Sequence, residues 1–516
     1  MKNLPIGLQE LQSVRNGNCV YVDKTQLVHQ LATGGQKYFF LSRPRRFGKS
    51  LLISTIKELF LGNRDLFEGL WIEPHWDWSA TSPIIHLSFD NISFDSLGLE
   101  EAIKVELADL AERENIKLTR TDHRGQFKEL IQKLYEKKGQ VVVLIDEYDK
   151  PINEYLESTR LEQAKTNQAI MRQFYGVLKS SEPYLRFVFI TGVSKFAKVS
   201  LFSELNNLVD ISLNEKYSTI TGYTQEEMLF YFEDHIQVVQ EKLKLTRVEL
   251  LNYLKIWYNG FSWDGITTLY NPFGFLNFLE QKRFHNFWFA TGSPKFLIKE
   301  MKKHVTFNVE NVVLTSTELD EYDLENLSLI PLLFQTGYLT IKNIDPMTGD
   351  MVLDYPNKEV RESMYMFLIN DLARDPQRTN TGMTIRDLNK AFVSNNLPKA
   401  KTIINALLAA LPYEVYKKQS EGFYHGLLHL IFNYVGVYIE SEVHLSNGRA
   451  DVVLHSLTHV YIMEFKFNLT AKAAIDQIME QNYADKYRAT GKQIIGIGVN
   501  FSEKQRKIDD WVEVVL

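Results

Sequence analysis

A short apolar run at residues 38–41 leads into Ser42-Arg43-Pro44-Arg45-Arg46-Phe47-Gly48-Lys49-Ser50 and then into an apolar-periodic helix over 51–60. A strand that ends in Gly-Lys-Ser and turns at once into a helix offers unpaired N–H groups and the positive end of a helix dipole to an anion. In that setting Gly48 lets the chain approach closely, and the N–H groups of the first turn, through Leu51, point at phosphates. Lys49 reaches the outer phosphates and Ser50 supplies a hydroxyl to Mg²⁺. Arg45 and Arg46 are candidates for neutralising phosphate charge. The full pattern begins with Gly five residues before Gly48, where Arg43 stands, so the match is partial. Taken alone, it also fits an arginine-rich turn that caps an ordinary helix.

A second motif narrows the choice. Residues 141–145, Val-Val-Val-Leu-Ile, read as a buried strand ending in Asp146-Glu147. There Asp146 holds Mg²⁺ and Glu147 positions the attacking water. A third strand, 187–190, ends in Thr191-Gly192, where Thr191 is a candidate γ-phosphate sensor or simply part of a turn; Lys195 is a further candidate cation. With 84–89 these runs are continuously apolar and alternate with helical stretches, which predicts a parallel sheet covered on both faces. Residues 1–223 are therefore expected to form a P-loop α/β domain.

From 224 to 411 the pattern is mostly amphipathic helix, as over 225–241 and 385–393, the latter with Thr384 as N-cap, and predicts a helical lid and connector. Residues 412–516 change character again. A helix over 422–434 precedes strands at 438–443, 450–455 and 460–467, with Asn447-Gly448 as a hairpin turn between the first two. A helix from 471 to about 490 and a strand at 494–499 complete a small mixed α/β unit. Strand side chains alternate, so Glu464 and Lys466 share one face, and Asp451 can sit beside them. Two carboxylates on neighbouring strands suit a divalent metal that activates water and stabilises charge on a phosphate, with Lys466 orienting the nucleophile or neutralising the phosphate. A cross-strand ion-pair ladder is the plainer reading of the same three residues. Glu421, Glu440 and Glu442 are further acidic candidates, and Gln477 and Tyr483 on the next helix are expected to face the site.

Composition excludes other classes. The chain of 516 residues is 45% hydrophobic with 14 Pro and 27 Gly, which is neither disordered nor fibrous. A net charge of −6 provides no global field towards nucleic acid or membrane, and residues 401–516 carry near-equal numbers of basic and acidic residues. The single cysteine, Cys19, fits a reducing compartment. The start of the chain carries no signal-peptide pattern, and the greasy stretch 427–439 is shorter than the ~20 residues of a spanning helix. A cytoplasmic location without membrane contact is expected.

Several longer runs, in order, resemble one family: Tyr21-Val22-Asp23-Lys24-Thr25, residues 42–50, Leu144-Ile145-Asp146-Glu147-Tyr148-Asp149-Lys150-Pro151, residues 189–195, Trp257-Tyr258-Asn259-Gly260, and 448–451 with 464–466. Over nearly its whole length the chain resembles the AAA-ATPase-like proteins with a C-terminal PD-(D/E)xK nuclease domain. That family's loop is similar in carrying Arg in place of the first Gly. The resemblance implies ATP as the nucleotide, Mg²⁺ with Mn²⁺ as an alternative at the nuclease site, and a restriction-endonuclease-like C-terminal fold. The function expected from it is an ATP-binding, ATP-hydrolysing protein that controls a metal-dependent nuclease acting on DNA or RNA. The competing reading is a nucleotide-dependent switch whose nuclease fold only grips a partner. A P-loop kinase of small molecules leaves the Asp-Glu pair and the C-terminal domain unexplained. Oligomeric state stays open.

Overall fold

The computed structural model describes residues 1–156, 160–195, 201–202, 205, 207–289, 297–298, 300–301, 309–320, 328–372, 381–410, 421–436, 440–443 and 450–516. The chain divides into two compact units, Met1–Gly292 with Glu310–Glu359, and Ser293–Val309 with Val360–Leu516. The stretch 224–411 thus contributes to both.

In the first unit, β1 (Tyr38–Ser42), β2 (Ile84–Ser88), β3 (Val141–Asp146), β4 (Leu185–Gly192) and β5 (Val209–Asp210) form an all-parallel sheet in the order β2-β3-β4-β1-β5. β1 and β3 are buried throughout, as continuous apolarity predicts. β2 alternates because it is an edge strand with one face half-open, and β5, two residues long, leaves no periodic trace in the sequence. Ser42 pairs with Gly192 and Ile145 with Ile190, so the loops after β1, β3 and β4 leave the sheet along one carboxyl edge, where open α/β sheets bind ligands. The helix Lys49–Phe60 packs Leu52, Ile53, Ile56, Leu59 and Phe60 against that sheet. Full burial of such a side chain contributes about 1.5–3 kcal/mol, and this fixes the helix start beside the strand ends.

The middle of the chain begins as expected, with helix Gln225–Leu243 opened by a Thr224/Glu227 capping box. Helix Arg247–Tyr258 starts the same way at Thr246 and Glu249, and Asn271 caps Pro272–Gln281. The region also holds a small antiparallel sheet, β6 (Val312–Leu314), β7 (Thr340–Ile344) and β8 (Met351–Asp354), in the order β6-β8-β7. Its strands are only three to five residues long, with at most three apolar residues in a row, so they do not stand out as apolar runs.

Glu359 closes the first unit fully buried. One carboxylate oxygen accepts from Trp288 N at 2.6 Å and the other has no partner. Burial pushes its pKa up to about 8. The folded state therefore keeps a proton that the unfolded chain releases in the ordinary carboxylate range. The associated stabilisation is complete below that range and is lost as pH rises through about 8. Between pH 7 and 9 the melting temperature of the ligand-free protein is expected to fall by a few degrees more than that of Glu359→Gln, measured by calorimetry. Parallel curves for the two proteins would contradict this.

In the second unit the helix Thr381–Val393 begins three residues before Thr384, so Thr384 lies within the helix and is not its N-cap. Helix Glu421–Val435 precedes β9 (Glu440–Val443), β10 (Val452–His455), β11 (His459–Phe467), β12 (Gln493–Ser502) and β13 (Lys507–Val515). The sheet order is β13-β12-β11-β10-β9, with only β11 and β12 parallel. The crossover between them carries helix Ala471–Glu480, which stops where Asn482 turns left-handed (φ 52°); the expected extension to Thr490 is a separate 3₁₀ segment, Asp485–Thr490. β13 is an edge strand that mixes apolar with charged residues and pairs with β12 across a register shift, so it shows no clean period in the sequence. The Asn447-Gly448 turn lies outside the described residues.

Gly498 is opposite Glu464 and lies under the start of helix Ala471–Glu480. A Cβ there would stand 2.1 Å from the Ala471 carbonyl oxygen and 2.8 Å from Ile475 Cγ1. Backbone cannot yield as a flexible side chain does, so Gly498→Ala is expected to cost ~1–3 kcal/mol and to lower the melting temperature by several degrees. An unchanged melting temperature would show that the helix does not approach this closely.

Candidate functional site

A cavity of about 450 Å³ opens at the carboxyl edge of the parallel sheet. Arg45, Arg46, Gly48, Lys49, Ser50, Leu51, Asp146 and Glu147 all line it, so the loop and the end of β3 meet there. Gly48 stands at the N-cap of the loop helix with φ 87° and provides no side chain to cap it, which leaves the first-turn N–H groups to a ligand. A Cβ at Gly48 would meet nothing within 4 Å, so the positive φ, and not lack of space, calls for glycine. Arg46 (φ 64°) and Glu147 (φ 52°) also lie in the left-handed region. Such conformations cost on the order of 1 kcal/mol or more and persist where surrounding structure imposes them.

Lys49 is buried, with Nζ donating to Pro44 O at 3.2 Å and lying 3.6 Å from Glu147 Oε1. Burial raises the pKa of Asp146, while a hydrogen bond from Ser50 and the Lys49 charge oppose the shift. Ser50 and Asp146 are thus already adjacent, as a hydroxyl and carboxylate that share one hard cation must be. The phosphate side of the cavity was legible in the sequence. Its apolar wall, which includes Ile6, Val20, Tyr223, Phe273 and Leu276, was not: these are ordinary apolar residues brought together from three distant segments. The Arg46 guanidinium lies over the Phe273 ring, 5.2 Å from its centroid.

Arg43 and Thr191 both serve the core. Arg43, in place of the first loop glycine, is 1% exposed; it donates to Ser42 O and Ser212 O and stacks on Trp263 at 4.1 Å. Burial pulls its pKa down to about 9. It is a strut within the core beneath the loop, not a phosphate contact. Thr191 does not line the cavity: its hydroxyl donates to Leu41 O at 2.8 Å and it is fully buried between β4 and β1. Lys195, also buried, pairs with Asp210 at 3.1 Å. The strand end is instead tied down by Asp149, which accepts from Ser194 N at 2.8 Å and Val193 N at 3.3 Å.

The second constellation lies in the C-terminal sheet. The Asp451 carboxylate accepts from Phe465 N at 2.8 Å, which brings it beside Glu464 at the start of β10. Lys466 Nζ lies 3.3 Å from Glu464 Oε1 and donates to Gln477 Oε1 at 2.5 Å, and Gln477 Nε2 is 3.5 Å from the Tyr483 hydroxyl. Gln477 and Tyr483 thus do face this cluster. Phe465 points to the other face and stacks on Phe432 at 5.6 Å. Burial, and secondly the Asp451 charge, push Glu464 up to about 7, and its Oε2 is buried without a partner. A buried carboxylate oxygen left unpaired beside a second carboxylate offers hard oxygen donors of the kind a divalent cation takes, although among the described residues no cluster of three or more His, Cys, Asp or Glu side chains stands there. Asp451 and Glu464 are the residues that would hold a metal. Gly448 and Arg449, and the side chains of Glu421, Glu440 and Glu442, lie outside the described residues.

A Gly-Lys-Ser loop facing Asp-Glu on a parallel sheet, and an Asp…Glu-x-Lys cluster on a mixed sheet, define an ATPase-like domain joined to a nuclease-superfamily domain. The chain belongs to that family. Residues 5–202 match the model of a predicted AAA-ATPase, and residues 419–511 that of the PD-(D/E)XK nuclease superfamily. An uncharacterized protein in the vnfD 5′ region of Azotobacter chroococcum mcd 1 is 37% identical over 99% of this chain and 98% of its own length. The solved structure of the Aeropyrum pernix ORC1 protein in complex with DNA aligns with 66% of this chain and 90% of its own, at 12% identity and a TM-score of 0.24. Among the described residues no helix is long and apolar enough to cross a membrane.

Proposed function

We propose that the protein binds and hydrolyses ATP in the first cavity, and that the nucleotide state controls a metal-dependent nuclease site in the second unit that acts on DNA or RNA in a reducing cytoplasm. The observation that carries the reading is the pairing of two donor sets on one chain: uncapped N–H groups with Lys49, Ser50 and Asp146 in one, and the orphaned Glu464 oxygen beside Asp451 and Lys466 in the other.

In the first site Lys49 and the loop N–H groups hold the phosphates, and Arg45 and Arg46 lower the cost of bringing their charge into the cavity. Ser50 and Asp146 are the residues to hold Mg²⁺, which offsets charge on the phosphate oxygens when bound. Glu147 accepts a proton from the attacking water at its carboxylate, for which its contact with Lys49 must yield. In the second site Asp451 and Glu464 would hold Mg²⁺ or Mn²⁺, which would supply a more acidic bound water and positive charge beside the scissile phosphate. Lys466, fixed by Gln477, orients the nucleophile or the phosphate.

Glu147→Gln separates binding from chemistry. This variant is expected to bind ATP about as tightly as wild type while turnover falls by about 10²-fold or more. Radiolabelled phosphate release beside equilibrium binding tests this, and undiminished turnover would remove Glu147 from the reaction. The near-neutral C-terminal segment favours a second reading, in which the nuclease fold only grips a partner. Metal-dependent cleavage that disappears in Asp451→Ala excludes it.

A further inference from the structure

The phosphate loop is gripped by the middle of the chain. Trp288 Nε1 donates to Arg45 O at 2.9 Å, and Trp288 N donates to Glu359 Oε1 at 2.6 Å. Phe47, buried within the same loop, has its ring edge-on to Phe261 and Trp263, with centroids 5.0 Å away in both cases. Tyr338 and Phe261 flank the Trp288 ring at 5.4 and 6.2 Å. Trp288 lies a few residues before Gly292, and Glu359 is the last residue of its segment: the chain leaves the first unit at both places. The second Glu359 oxygen is buried without a partner, an arrangement that is costly and calls for an explanation beyond packing.

A loop main chain bonded to an indole, itself bonded through its backbone to a buried carboxyl, is one contiguous hydrogen-bonded path. A shift of the Arg45 carbonyl on phosphate binding would be felt at Trp288 through that hydrogen bond. We infer that Trp288, held by Glu359, is a positioning residue for the phosphate loop and couples nucleotide occupancy to the two points where the chain leaves the first unit. This rests on the reading of the first cavity as an ATP site.

The test uses the full chain with ATP and Mg²⁺, read by equilibrium binding and by hydrogen exchange over helix Lys358–Leu372. Trp288→Phe keeps a ring in place but loses the N–H donor; Glu359→Leu loses the acceptor and Glu359→Gln keeps it. Wild type is expected to bind ATP and to change its exchange over this helix. Trp288→Phe and Glu359→Leu are expected to bind about 3- to 10-fold more weakly and to lose the exchange response, while Glu359→Gln retains both. Wild-type affinity and exchange response in a folded Trp288→Phe would overturn the inference. Weaker binding with the exchange response intact would overturn the coupling. A wild type that binds no ATP defeats the reading of the cavity and this inference together, whereas wild-type binding with indifferent variants defeats the inference alone.

Discussion

Lys466→Ala is expected to reduce metal-dependent cleavage of nucleic acid by about 10²–10³-fold, the scale on which removing one charge-stabilising group from a reacting centre acts. The side chain is partly buried, and its Nζ bridges Glu464 Oε1 and Gln477 Oε1. Its loss leaves two carboxylates facing each other with no cation between the strands. The fold is expected to survive because Phe465 and Phe467, on the opposite face, carry the packing against Phe432 and Phe501. Gel assays of cleavage, with circular dichroism on the same samples, check this. Undiminished cleavage by a folded variant would move the chemistry elsewhere.

The second large effect is at Lys49. Its ammonium is buried in the phosphate loop, donates to Pro44 O and lies 3.6 Å from Glu147 Oε1. Loss of a charge-assisted phosphate contact costs about 1.5–3 kcal/mol, so Lys49→Ala is expected to weaken ATP binding about 10- to 100-fold. Calorimetric titration measures it. Wild-type affinity would mean that the loop does not hold the phosphates. If the two sites are coupled as proposed, this substitution also changes cleavage at the distant site, which a defect confined to nucleotide binding would not.

The two constellations were legible in the sequence for a local reason. Gly48-Lys49-Ser50, Asp146-Glu147 and Glu464-Phe465-Lys466 sit at strand ends or on a strand, where period-2 geometry and the turn into a helix fix the directions of the side chains. Long-range features were not. Arg43 was read as a defect of the loop, yet it is stacked on Trp263, more than two hundred residues away, and supports the loop from within. Thr191 was a natural sensor candidate at a strand end, but its hydroxyl turns back to the neighbouring strand. The inner strands announced themselves as apolar runs because both their faces are covered. The edge strand β13 mixes Asp509, Asp510 and Glu513 with its apolar residues, and β6, β7 and β8 are only three to five residues long, so none forms a conspicuous apolar run. The sequence was equally silent on the grip of Trp288 on Arg45, which joins segments that only the fold brings together.

The most direct measurement is cleavage of plasmid, single-stranded DNA and RNA with Mg²⁺ or Mn²⁺, with and without ATP, by wild type beside Lys466→Ala and Lys49→Ala. Cleavage by wild type that depends on ATP, is lost in Lys466→Ala and loses its ATP dependence in Lys49→Ala is the result predicted. Cleavage indifferent to ATP and to Lys49, or surviving in a folded Lys466→Ala, would contradict a nucleotide-controlled nuclease.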